Sequence, residues 1–171
     1  LLEVTAAALC SLTAVDLVHR DLTPSNVILR DGRFEAPVLI DFGLAKRTFD
    51  SGLTQHDLVM GTPGYIAPET MRGAPHTIRG DLFALGILTR FALLGRDPFP
   101  GLGGMKLIDF MTRNEASIPA SIPEHVASVL RTLTRIAPEE RPVSPAAALA
   151  LASAARAHDV RLKPPTGTLL A

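Results

Sequence analysis

The stretch VHRDLTPSNVILR, residues 18–30, decides how the chain is read. It sets His19, Arg20 and Asp21 side by side, then places Asn26 five residues after the aspartate and follows it with an apolar run. The segment NVILR, 26–30, is rich in β-branched residues and predicts a short strand. DGR, 31–33, is a turn signal, and VLID, 38–41, entered through Pro37, predicts a second strand. The two strands make a small hairpin that ends at Asp41-Phe42-Gly43, fifteen residues after Asn26.

Asp21, Asn26 and Asp41 carry side-chain oxygens of the kind phosphoryl transfer needs. Its transition state is loose and anionic, so catalysis is mostly positioning and charge neutralisation. A carboxylate must meet the attacking hydroxyl and take its proton. An amide oxygen and a second carboxylate can hold Mg²⁺, a hard cation that prefers oxygen ligands. Gly43 leaves the backbone free beside Phe42 where such a segment has to move.

Working outward, residues 1–17 predict an amphipathic helix whose apolar face includes Leu2, Leu9 and Leu12. Residues 42–78 read mostly as loop, punctuated by glycine and proline, and a loop so long is usually functional or disordered. DLFALGILTRFALL, 81–94, is apolar around most of its circumference and predicts a helix buried on nearly all sides. A short helix is expected near 104–113, and another where Val126, Val129, Leu130 and Leu133 share helical spacing. A last helix begins with Ser144 as N-cap and Pro145 at its first position. The fold class is therefore mainly α with a small β-hairpin. The division is a domain over 1–158 and a tail or linker over 159–171, where prolines and a glycine gather.

Composition excludes several classes. Lys+Arg and Asp+Glu are both 17, so the net charge is zero and nothing favours a nucleic-acid or polybasic membrane partner. Cys10 is the single cysteine, so no internal disulfide can form, and the count suits a reducing, cytoplasmic setting. No apolar run reaches membrane-spanning length. His56, His76, His125 and His158 show no metal-ligand spacing and read as solvated or core residues. GLGG, 101–104, follows no strand, so it reads as a flexible loop rather than a phosphate cradle.

The motifs together resemble the C-terminal lobe of a eukaryotic-like serine/threonine protein kinase, a two-lobed α+β fold. HRDLTPSN resembles the catalytic loop, and DFGLAK, 41–46, the metal-binding start of the activation segment. GTPGYIAPE, 61–69, resembles the segment's substrate-facing end, and DLFALG, 81–86, the start of the central buried helix. GRDPFPG, 95–101, and RIAPEERP, 135–142, resemble later landmarks. Six motifs in order at compatible spacing are far more specific than any one of them.

The resemblance implies roles. Asp21 would be the catalytic base, and Asn26 and Asp41 would bind Mg²⁺ beside ATP. His19 would be a scaffold residue. Arg20 would pair with a phosphorylated residue of the activation segment, for which Thr48, Ser51 and Thr54 are candidates. Thr62 would line the pocket for the acceptor residue, favouring serine or threonine on a protein substrate. Glu69 would pair with Arg141, and Asp81 would accept backbone N–H bonds from the catalytic loop.

Two departures stand out. Kinases of this class usually carry lysine at position 23, against the transferring phosphate, and here Thr23 stands there. Its hydroxyl supplies no charge to the transition state. The second concerns the nucleotide-clamping elements: a glycine-rich loop, a strand lysine and a helix glutamate. The eighteen residues before His19 contain no G-x-G-x-x-G and no lysine, so the N-lobe is expected from outside this chain, and the chain alone is expected to be inactive. The surface near residues 1–30 and 38–43 should then expose apolar area that the other lobe would cover. The rival readings are a truncated or pseudokinase-like scaffold and, less well matched because of GTPGYIAPE, a small-molecule phosphotransferase.

Overall fold

The computed structural model describes residues 1–41, 46–47 and 63–156. Six helices and two short antiparallel strand pairs make up the regular structure of these residues, with single turns of 3-10 helix between them. The helices are α1 (Leu2–Thr13), α2 (Pro68–Met71), α3 (Ile78–Leu94), α4 (Gly104–Arg113), α5 (Glu124–Leu133) and α6 (Pro145–Arg156). The strands are β1 (Leu17–Val18), β2 (Val27–Leu29), β3 (Pro37–Leu39) and β4 (Lys46–Arg47). The mainly helical class with a small hairpin holds.

α3 is the centre. Every residue from Gly80 to Arg90 is buried, as its all-round apolar sequence requires. α1 and α5 both pack on it, and α6 packs on α1, α5 and α3. The core runs from Leu9 of α1 through Leu22 of the loop to Leu82, Leu85 and Leu88 of α3 and Leu133 of α5. Gly86 sets how closely α3 and α5 approach. A Cβ on it would come within 2.7 Å of Thr134 Cγ2 and 2.9 Å of Leu133 Cβ. Gly95 then stops α3 in the left-handed conformation, with its N–H donating to Phe91 O.

The hairpin pairs β2 with β3 in the register Val27↔Leu39, Ile28↔Val38 and Leu29↔Pro37. Pro37 sits at the first residue of its strand, where a missing N–H is tolerated. Ser144 caps α6 by accepting a bond from Ala147 N–H at 3.2 Å, with Pro145 at the first helical position. Val4, Val15 and Ile28 stand exposed within the stretch expected to show apolar area.

Several boundaries differ from the sequence reading. α1 stops at Thr13 rather than 17, because Asp16 adopts a positive φ of 57° and turns the chain into β1. Aspartate tolerates that conformation better than most residues. α3 begins at Ile78, three residues before the expected Asp81, and α2 occupies part of the expected loop. Arg135 lies just beyond the end of α5. It pairs with Glu115 and Glu140, while Arg131 pairs with Glu124. The tail 159–171 lies outside the described residues.

Candidate active site

The site is assembled where the first hairpin meets the N-terminal end of α3. β1 pairs with β4 through Leu17↔Arg47 and Val18↔Lys46, so the chain entering the loop is tied to the chain that follows Asp41. His19 and Arg20 come directly after β1 and are fastened to α3. The Asp81 carboxylate accepts the His19 N–H at Oδ2 (2.7 Å) and the Arg20 N–H at Oδ1 (2.9 Å). Asp81 is fully buried, and these backbone donors are what let a charge sit there. The anchoring also holds Arg20 at a φ of 72°, a left-handed conformation unusual for a residue of that size. Such strain persists only where neighbours over-determine it.

Anchored this way, the loop presents Asp21 to Asn26. Asn26 is buried at the end of a single turn opened by Pro24. Its side-chain amide donates to the Asp21 main-chain carbonyl at 2.8 Å and to Asp21 Oδ2 at 2.7 Å. Both amide protons are engaged, which leaves the Asn26 Oδ1 lone pairs for another partner. The Asn26 carbonyl accepts the Ile40 N–H at 2.9 Å, extending the hairpin ladder by one bond beyond Val27↔Leu39. Asp41 is the next residue. It leaves the ladder exposed, with a φ of 58°. The three oxygen-bearing residues singled out in the sequence are thus joined through a clasp and one ladder bond.

Thr23 is 2% exposed and extended, immediately before the Pro24 turn. The Nε of Arg20 is buried and has no hydrogen-bond partner among the described residues. His19 is buried beneath the loop. Thr48, Ser51, Thr54 and Thr62, together with Phe42 and Gly43, lie outside the described residues.

Arg141 binds Glu69 with two parallel bonds of 2.7 Å. Its remaining donors reach the carbonyls of Arg135 (2.7 Å), Arg79 (3.0 Å) and Ile136 (3.0 Å). The guanidinium also lies 4.9 Å from the Phe83 ring centroid. Every N–H of this arginine is therefore used, and α2 is locked to the start of α3 and to the α5–α6 connection. Tyr65, in the turn ahead of α2, is buried in the main core. Burial pushes its phenol well above the usual range, and the Asp97 carboxylate adds to the shift.

Sequence reasoning missed His76. Its Nε2 lies 3.1 Å from Asp81 Oδ1, so a histidine assigned to solvent or core joins the group that anchors the loop. The signal was a histidine five residues ahead of the buried aspartate with Gly80 between them, which no motif records.

A family model described as "Protein kinase domain" matches residues 2–153. The chain belongs to the protein kinase family. Its relatives include the serine/threonine-protein kinase PkaA of Streptomyces coelicolor, 36% identical over 138 residues, which is 80% of this chain and 25% of PkaA. The serine/threonine-protein kinase AfsK of the same organism is 33% identical over 80% of this chain and 17% of its own length. The serine/threonine-protein kinase PknA of Mycobacterium tuberculosis is 33% identical over 76% of this chain and 30% of PknA. The chain thus spans about a quarter of the length of these relatives. Protein kinases in general use ATP and Mg²⁺. No helix among the described residues is long and apolar enough to cross a membrane.

Proposed function

We propose that the protein carrying this chain transfers the γ-phosphate of ATP to serine or threonine side chains of other proteins, and that this chain supplies the catalytic and peptide-facing half. The observation that carries the proposal is the Asn26 clasp on Asp21, together with the Ile40 N–H bond to the Asn26 carbonyl, which Asp41 follows directly in the chain. Asp21 orients the incoming hydroxyl and accepts its proton, which becomes acidic only as the oxygen attacks phosphorus. Asn26 holds that carboxylate in place and keeps its own oxygen available.

The residues fit a magnesium ion. Asn26 Oδ1 and the Asp41 carboxylate would supply hard oxygen ligands, and no group of three or more His, Cys, Asp or Glu that could hold a metal ion occurs among the described residues. Mg²⁺ typically takes one or two protein oxygens and completes its shell with phosphate and water. When bound, the ion neutralises charge on the phosphates.

Arg20 is the cationic partner for a phosphorylated residue, its buried Nε having no hydrogen-bond partner among the described residues. Thr48, Ser51 and Thr54 remain the candidate acceptors, and Thr62 the candidate for lining the pocket of the substrate residue. Glu69 with Arg141, His19 and Asp81 hold the frame. The nucleotide-clamping lobe comes from elsewhere in the protein, and the setting is cytoplasmic.

Thr23 supports a second reading, a binding scaffold without turnover. A short uncharged side chain, 2% exposed, replaces the lysine the family usually directs at the phosphate. The full reading frame should be incubated with labelled ATP, Mg²⁺, a generic protein substrate and, separately, an aminoglycoside or sugar. Phosphoserine or phosphothreonine on the protein supports the kinase. Label on the small molecule favours a small-molecule phosphotransferase, and no label on either favours the scaffold.

A further inference from the structure

The Asp81 carboxylate has a third donor that the kinase motifs do not account for. Oδ2 accepts the His19 N–H, but Oδ1 accepts both the Arg20 N–H at 2.9 Å and His76 Nε2 at 3.1 Å. The histidine comes from the connection ahead of α3, five residues before the aspartate it meets. Its side chain is only 6% exposed and the aspartate's is 0% exposed, so water does not compete for the contact. A carboxylate can only accept, so the ring must donate from Nε2, and the contact selects the tautomer.

Room for the ring is made by Gly80. A Cβ at that position would lie 2.9 Å from His76 Nε2 and 3.0 Å from Cδ2. Nε2 is the atom that meets Asp81, so even alanine at position 80 must displace the imidazole. The left-handed conformation of Arg20 makes the position of Oδ1 consequential. That oxygen holds the N–H of a residue at φ 72°, and Asp21 follows directly. A carboxylate free to rotate would loosen the bond that holds the Arg20 N–H, one residue ahead of the catalytic aspartate.

We propose that His76 is a positioning residue for phosphoryl transfer: seated over Gly80, it locks the rotamer of Asp81 and through it the backbone of Arg20 and Asp21. The role in the reaction rests on the kinase reading above; the brace itself does not.

Two sets of measurements separate them. In the 171-residue chain, nitrogen-15 NMR should show His76 Nε2 protonated, with its proton protected from exchange. A bare Nε2 would overturn the proposal without any substitution. His76→Ala and Gly80→Ala should both shift the His19 and Arg20 amide resonances, and His76→Gln, whose amide can donate from a similar reach, should bring them back. Resonances unmoved by either alanine variant, or moved equally by glutamine, would refute the brace. In the full reading frame, His76→Ala and Gly80→Ala should each lower kcat roughly 10-fold, as a small misplacement of catalytic groups does. KM for ATP and peptide should stay within about twofold. The double variant should be no worse than either single one, because both remove the same contact. Unchanged kcat in enzyme whose activity depends on Asp21 would refute the catalytic part. Activity independent of Asp21 would instead sink the kinase reading and leave the NMR result standing.

Discussion

Arg141 and Glu69, 72 residues apart in sequence, meet through two parallel hydrogen bonds of 2.7 Å in which the arginine side chain is fully buried. The pair closes α2 against the base of α3, and the remaining guanidinium protons go to main-chain carbonyls. Removing one partner of a buried pair leaves the other charge uncompensated, which costs about 3–5 kcal/mol. Glu69→Ala should lose about that much stability in urea unfolding. Arg141→Lys should be similarly harmful, because an ammonium cannot serve five fixed directions. A loss below about 1 kcal/mol in both would mean that the pair is only surface decoration.

Gly86 offers a test of the α3–α5 contact. In an isolated helix, alanine is favoured over glycine by about 0.5–1 kcal/mol. Here the added methyl would meet Thr134 Cγ2 at 2.7 Å and Leu133 Cβ at 2.9 Å. Overpacking of this kind costs about 1–3 kcal/mol, so Gly86→Ala should destabilise despite its better propensity. Adding Thr134→Ser removes the nearer clash while keeping a hydroxyl for the bond to Leu130 O, and should recover part of the loss. Equal or greater stability of Gly86→Ala alone would contradict the close approach.

Tyr65 is the only tyrosine and the chain has no tryptophan, so its ionisation can be followed cleanly in the ultraviolet. Burial, with Asp97 adding, holds its phenol above the ordinary range. Because the folded pKa is raised, the stabilisation is complete below the unfolded value, about 10, and is lost as pH climbs toward the folded one. Phenolate absorbance should therefore appear together with alkaline unfolding rather than before it. Tyr65→Phe should remove this contribution to the alkaline loss. A phenol titrating near pH 10 in still-folded protein would show that it is not buried.

The parts of the structure that were legible in the sequence are those set by local pattern. The apolar circumference of 81–94 meant burial, and α3 is buried from Gly80 to Arg90. The β-branched run at 27–28 and the DGR turn meant a hairpin, and β2 pairs with β3 as expected. Ser144 and Pro145 marked a helix start correctly.

What failed depended on contacts that pattern cannot see. Alanine and valine at 14 and 15 extend the apolar look of α1, but the positive φ at Asp16 ends it. β1 and β4 are two residues each, too short for any periodicity, and their pairing joins distant stretches. Glu69 and Arg141 came together through family resemblance alone. His76 was passed over because its seat depends on the space that Gly80, lacking a Cβ, leaves for the imidazole.

Asn26 supplies a prediction independent of stability. Asn26→Ala removes both donors from Asp21 as well as one of the two proposed metal oxygens. Activity of the full reading frame should fall, and raising Mg²⁺ should restore only part of it, since the clasp on Asp21 is not recovered. Full recovery at high Mg²⁺ would limit Asn26 to holding the ion.

The most direct measurement is the rate of phosphate transfer from ATP to a protein serine or threonine by the full reading frame, compared with Asp21→Asn. The substitution keeps the size of the side chain and removes its capacity to take a proton. A general base typically contributes about 10²–10⁴-fold, and a fall of that order is the expected result. Equal rates from both proteins would contradict the assignment of Asp21 as the base.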